Sequence, residues 1–166
     1  QQRYQQARKV VPIQTAKVDE QEPEPVIPTP KQHQHDALQA LANSRARGFF
    51  KGVVVLATGM GKTYLAAFDA AQFEAARVLF VAHREEILLQ AEESFLAILP
   101  HKRVGRYTGK QKDNECDLLF ASVQTLGRVA HLERFRPDYF DYIVVDEFHH
   151  AAAGSYQRLL EYFQPK

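Results

Sequence analysis

One cysteine, one methionine and no tryptophan occur in 166 residues. The lone Cys116 excludes a disulfide within the chain, argues against a cysteine-built zinc cage, and fits a reducing, intracellular, cytoplasmic setting. Charge of one sign is also missing. The 21 Lys and Arg against 20 Asp and Glu leave a net +1 at pH 7. No gross basic field advertises a polyanionic partner, although a local basic patch stays open. No apolar run reaches membrane-spanning length and the start is polar rather than leader-like, so no membrane partner is expected. What is present is an ordinary apolar share of 45% and a charged share of 25%. That supports one domain with a real core.

Residues 1–30 stand apart. They hold five prolines, many glutamines and an acidic cluster, with no sustained period of two or of 3.6. This composition predicts a flexible linker or tail. From Lys31 onward the pattern is regular. QHDALQALANSRARG carries Leu38, Leu41 and Ala42 at helical spacing and closes on Gly48, a natural helix stop. Four near-continuous apolar runs follow, at 53–57, 78–82, 117–121 and 142–146. Runs of this kind are expected of parallel strands covered on both faces. A weaker strand is expected over Arg103 to Tyr107. Helical stripes lie between, with Leu88, Ala91, Phe95 and Ile98 on one and Leu126, Val129 and Ala130 on another. Strand and helix alternate, so the fold class is α/β with a mainly parallel sheet flanked by helices.

The polar residues follow the C-terminal ends of the apolar runs, where open α/β sheets bind ligands. After the first run comes TGMGKT. Gly59 and Gly61 permit a tight turn, and backbone N–H groups of Thr58, Gly59, Met60 and Gly61 with the start of a helix make a cradle for phosphate oxygens. Lys62 would reach the β- and γ-phosphates of ATP, and the Thr63 hydroxyl would bind Mg²⁺. Leu56 stands where a strict phosphate loop has its first glycine. After the fourth run, Asp146 could hold Mg²⁺ through a water and Glu147 could orient and deprotonate the attacking water. Phosphoryl transfer needs positioning and charge neutralisation above all.

ATGMGKT followed by DEFH at 146–149 resembles motifs I and II of superfamily 2 helicases and translocases of the DExH type. VLFVAHREEILLQA resembles motif Ia of the branch related to restriction-enzyme subunits. YTG at 107–109 and ASVQTL at 121–126 are similar to the next nucleic-acid-facing motifs, and QHQHDAL resembles the upstream glutamine motif. The resemblance spans about 31–166 and implies a RecA-like, P-loop NTPase domain. It implies that Gln34 reads the adenine edge and that His149 couples nucleotide state to a second RecA-like domain. It also implies that Arg84, Thr108, Gly109, Gln124 and Thr125 touch the sugar-phosphate backbone, contacts that position without reading sequence. DNA is the preferred partner, with RNA open.

Plainer readings stand beside these. Gln34 could serve as a polar helix-start residue, Arg84 as a surface charge paired with Glu85 or Glu86, and Thr125 as a helix cap. His149 and His150 with His33 and His35 match no zinc spacing. The family's next strand, ending in a Ser/Thr-Ala-Thr motif, and its second motor domain are not found in the chain. The expectation is a C-terminally truncated first motor domain, nearly inactive alone. The alternatives are a P-loop NTPase of another kind, or a nucleic-acid-binding fragment without turnover.

Overall fold

The computed structural model describes residues 26–57, 59–147 and 154–165. Its elements run α1 (Gln32–Ala46), α2 (Lys62–Gln72), β1 (Val78–Ala82), α3 (Glu85–Ile98), β2 (Val104–Tyr107), β3 (Leu118–Ser122), α4 (Val123–Leu126), α5 (Val129–Leu132), β4 (Tyr142–Val145) and α6 (Gly154–Tyr162). The strands form one sheet in the order β2-β3-β1-β4. All three pairings are parallel, with Leu79 of β1 beside Leu119 of β3 and Ile143 of β4. No described helix is long and apolar enough to cross a membrane.

Every residue of the central strands β1 and β3 is buried. Successive side chains point to opposite faces, so each strand feeds two cores. Phe80, Leu118 and Phe120 face α2 and α3, where Phe80, Phe95 and Phe120 stack with ring centroids 5.7–5.9 Å apart. Leu79, Val81, Leu119 and Ala121 face the other way, onto Leu126, Phe135, Phe140, Tyr156 and Leu159. Cys116 joins this second core, and burial pushes its thiol up to about 11.

The helix expected before Gly48 forms and ends as predicted. Gly48 takes φ +86°. Its N–H bonds the Arg45 carbonyl at 2.9 Å, and the Phe49 N–H bonds the Ser44 carbonyl at 3.0 Å. This paired closure satisfies two orphan carbonyls of the last turn.

Two expectations are corrected. The run at 53–57 is not a strand, and Val53 and Val55 are 70% and 87% exposed. A strand exists through its ladder partners, and no described strand pairs with this segment. The stretch around Gly127 is two short helices, not one, and Val129 and Ala130 are exposed. The cause is α6. Arg158 Nε donates to the Gly127 carbonyl at 3.1 Å, taking the acceptor that the next helical turn needs. A Cβ at Gly127 would lie 2.8 Å from Ser155, so only glycine lets α6 approach.

Candidate functional site

Gly61 caps α2 with φ +75° and ψ 42°, and Gly59 has φ +81°. Both values favour glycine. The turn is closed by the Met60 N–H on the Ala57 carbonyl at 3.2 Å. Two residues from the first turn of α1 hold the loop from one side. His33 Nε2 lies 3.0 Å from the Met60 carbonyl oxygen, to which its N–H donates. Gln34 Nε2 donates to the Gly61 carbonyl at 3.1 Å. In a trans peptide the N–H points opposite the C=O. Fixing these two carbonyls toward α1 therefore turns the N–H groups of Gly61 and Lys62 the other way. With the unpaired amides of the first turn of α2, they form an anion cradle. A Cβ at Gly61 would sit 2.7 Å from Gln34 Nε2, so glycine is required for the latch as well as for φ.

Beside this loop opens a cavity of about 310 Å³, lined by Pro28, Thr29, Lys31, Gln34, Tyr64, Phe68 and the loop residues Gly59, Met60 and Gly61. Its size and mixed apolar and polar lining suit a small planar ring. Gln34 is buried, and its Oε1 accepts the Lys31 N–H at 2.9 Å. Among the described residues its amide thus uses one N–H and one lone pair, and the group carries another of each. Pro28 and Thr29 bring the end of the proline-rich segment into the lining.

α1 is itself anchored by a polar node. Asp69, fully buried in α2, receives Arg45 of α1 in a two-pronged ion pair, 2.6 and 2.8 Å, and also the Tyr142 hydroxyl of β4. The hydrogen bond to Asp69 raises Arg45 above its ordinary value, and burial raises Tyr142. Arg45 also lies 5.5 Å from the Phe73 ring centroid.

α2 leads down to the start of β1, so its first residues lie at the C-terminal edge of the sheet. The exposed Lys62 and half-buried Thr63 therefore share an edge with Asp146, which directly follows β4. The Asp146 N–H continues the ladder to the Val81 carbonyl at 3.0 Å, and its Oδ1 accepts the Glu147 N–H at 2.8 Å. Glu147 has φ +54°, a left-handed conformation that costs a non-glycine residue of the order of 1 kcal/mol and concentrates at functional sites. Tyr156 of α6 approaches the same pair. Its side chain is buried and its hydroxyl has no hydrogen-bond partner among the described residues. Burial raises its pKa, and the charges of Glu147 and Asp146 add to that. Thr58 and His149 lie outside the described residues.

The remaining candidates sit after β1, β2 and β3. Arg84 precedes α3 and is exposed. It pairs with neither Glu85 nor Glu86; the helix's ion pair is Glu92 with Arg106, at 2.6 Å. Gln124 accepts from Ser122 Oγ at 3.0 Å and donates to the His83 carbonyl at 2.8 Å. It stitches the ends of β1 and β3 together. Thr125 is inside α4, not its cap, which is Ser122. Its hydroxyl is 3.4 Å from Ser122 Oγ. Thr108 is buried, and its Oγ1 accepts the Lys110 N–H at 3.3 Å, whereas Gly109 is exposed. Arg84 and Gly109 are thus presented outward, while Thr108 and Gln124 are engaged internally. Tyr156 and the Arg45–Asp69 node carry no motif in the sequence, and His33, although inside QHQHDAL, is not singled out there for a contact with the loop.

Residues 27–166 match the model of the family described as type III restriction enzyme, res subunit. The chain is 32% identical over 150 residues to the provisionally named ATP-dependent helicase IRC3 of Saccharomyces cerevisiae, covering 82% of this chain and 21% of that protein. It is 28% identical over 115 residues to a provisionally named ATP-dependent RNA helicase, L396, of Acanthamoeba polyphaga mimivirus, covering 69% of this chain and 22% of that protein. Its fold is similar to the SWI2/SNF2 ATPase core of Sulfolobus solfataricus solved in complex with dsDNA. The TM-score is 0.67 at 19% identity, covering 87% of this chain and 32% of the other. The chain spans about a fifth of the length of these curated relatives.

Proposed function

The chain belongs to the family of the type III restriction enzyme res subunit, and from that membership we propose that it is the ATP-binding half of a nucleic-acid-driven helicase or translocase. The observation that carries this reading is the latched loop. His33 and Gln34 hold two carbonyls of the Gly59–Lys62 turn beside a cavity of base size.

In this reading the adenine enters between Tyr64, Phe68 and Pro28, with Gln34 on its edge. The triphosphate lies along the amides of Gly59 to Thr63, and Lys62 neutralises its outer oxygens. The Thr63 hydroxyl and Asp146 carboxylate are hard oxygen donors, the chemistry Mg²⁺ takes with few protein ligands and bound phosphate. Such an ion supplies charge neutralisation on the phosphates. Glu147 orients the attacking water and accepts its proton. His149 relays the nucleotide state to a second motor domain, which contributes a charge-stabilising arginine.

Duplex DNA is the preferred track, supported by the restriction-enzyme family and by the duplex in the similar ATPase core. Arg84, Gly109 and Thr125 meet the backbone. The test is ATP turnover by the full-length protein at fixed salt with no nucleic acid, single-stranded DNA, duplex DNA or RNA. Stimulation by duplex DNA is expected, and Glu147→Gln is expected to keep ATP binding while stopping turnover. Turnover indifferent to all four conditions would overturn the motor reading and leave a general ATPase.

A further inference from the structure

The turn after β2 and the ends of α5 gather cations that the nucleotide site does not use. Tyr107, the last residue of β2, is buried, yet its hydroxyl meets His131 Nδ1 at 2.9 Å and accepts from Arg134 Nη1 at 3.2 Å. Lys112 lies 5.6 Å from the Tyr107 ring centroid, and its ammonium donates to the Thr108 carbonyl. Arg128 immediately precedes α5, one turn before His131.

These cations differ from three neighbouring arginines. Arg103, Arg106 and Arg136 each pair with a carboxylate, Asp117, Glu92 and Asp138 respectively. Lys112, Arg128 and Arg134 form no ion pair with a described residue. Glu133 faces the opposite side of α5, where it lines a groove with Arg158 and Glu161. Arg134 and His131 thus meet the Tyr107 hydroxyl, Lys112 lies against the ring of the same tyrosine, and Arg128 stands one turn before His131, close enough for its charge to act on the imidazole. Such a cluster is held together against its own repulsion and is stabilised by an anion.

The geometry points to a phosphodiester-binding site formed by Lys112, Arg128, His131 and Arg134 around Tyr107, which takes the backbone of the nucleic acid beyond Gly109. It rests on the nucleic-acid reading above, and it uses residues outside the motifs that suggested that reading. His131 makes the grip depend on protons. Arg134 donates to the tyrosine oxygen, and the hydroxyl shares a second hydrogen bond with His131 Nδ1. The groups facing His131 are Tyr107 from β2, Lys112 from the following turn, and Arg128 and Arg134 from the ends of α5. Burial and these three cations lower His131 below its ordinary 6.5. An incoming phosphate is the opposite charge and raises it again. Binding therefore takes up a proton and tightens as pH falls through the imidazole range.

The experiment is fluorescence anisotropy of labelled duplexes of DNA and of RNA, each about 20 base pairs, over a salt series at about pH 6 and about pH 8. The proteins are the wild-type chain, Lys112→Gln, Arg134→Gln and His131→Gln. Lys112→Gln and Arg134→Gln are each expected to weaken binding and to lower the slope of log Kd against log salt by about one. His131→Gln is expected to lose the extra tightening at low pH. Affinity for a fluorescent ATP analogue, unchanged in all three, reports an intact fold. Unchanged slopes and pH dependence on a duplex that the wild type does bind would overturn the site and leave the motor reading standing. Variants that lose only thermal stability, with the slope intact, would likewise reduce the cluster to a structural one. Wild-type protein that binds neither duplex would overturn both the site and the motor reading.

Discussion

At one end of the sheet, β2 and β3 lean on α4, α5 and α6 through an aromatic cluster. Phe135 meets Tyr107, Tyr139, Phe140 and Phe163 there, with ring centroids 5.5–6.5 Å apart. At the other end, β4 is half-buried along its whole length, and Val53, Val54 and Val55 are open to solvent. Both ends are written in the same kind of apolar run. The difference shows that such a run states a demand for neighbours and does not supply them. β1 and β3 have a strand on each side and are fully buried. β4 has a described neighbour on one side only, and the 53–57 segment has none. The Gly59–Thr63 loop hangs at the sparsely packed end, where hydrogen bonds and an ion pair add to a small apolar cluster of Leu38, Leu65 and Phe68. The proposed backbone site lies at the densely packed end.

The largest expected effect tests the packing itself. Phe135→Ala removes a ring from the dense cluster and is expected to cost about 3–5 kcal/mol in chemical denaturation. Val54→Ala, at the open end, is expected to stay within about 0.5 kcal/mol. Equal costs would break the contrast.

Next in size is the polar node that ties α1 to α2 beside their small apolar cluster. Arg45→Met leaves Asp69 buried without its cation. The cost is expected at about 2–4 kcal/mol, below that of a fully enclosed pair because Arg45 keeps 21% exposure. Nucleotide affinity should fall with it, because α1 carries His33 and Gln34. The double variant Arg45→Met, Asp69→Leu should recover part of the stability without recovering the affinity.

Tyr156→Phe removes a buried hydroxyl that has no described partner, so stability is expected to hold or to rise by about 1 kcal/mol. A loss of that size in thermal unfolding would mean that the hydroxyl is satisfied. The smallest effect concerns His131. Its folded pKa is lowered, so the unfolded chain takes up the proton first. Its contribution to stability is present above the ordinary 6.5 and is lost as pH falls below it. His131→Gln should flatten that part of the stability–pH curve.

Much of the fold, and the turn and helix start at Gly59–Thr63, is legible in the sequence. The three paired apolar runs, the glycines and lysine after one segment and the acid after another all depend on local sequence, and they fall where expected. What stays hidden depends on approach across distance. His33 acts on a carbonyl 27 residues away, and although it sits in QHQHDAL beside Gln34, the sequence does not say which carbonyl it reaches. Asp69 resembles a solvated helix charge, although its place among Leu65, Phe68 and Ala70 hints at burial. In α6 and just beyond its end, Tyr156, Leu159 and Phe163 have helical spacing, but the polar residues between them obscure it. The break at Gly127 is imposed by α6, a helix 27 residues further along the chain, so no local pattern announces it.

The central claim is that the Gly59–Thr63 turn is a working phosphate cradle. Its most direct test is titration of the chain with a fluorescent ATP analogue in the presence of Mg²⁺, wild type beside Lys62→Ala. The account predicts saturable binding that weakens at least about tenfold, or about 1.4 kcal/mol, in the variant. Binding of equal strength in both proteins would contradict it.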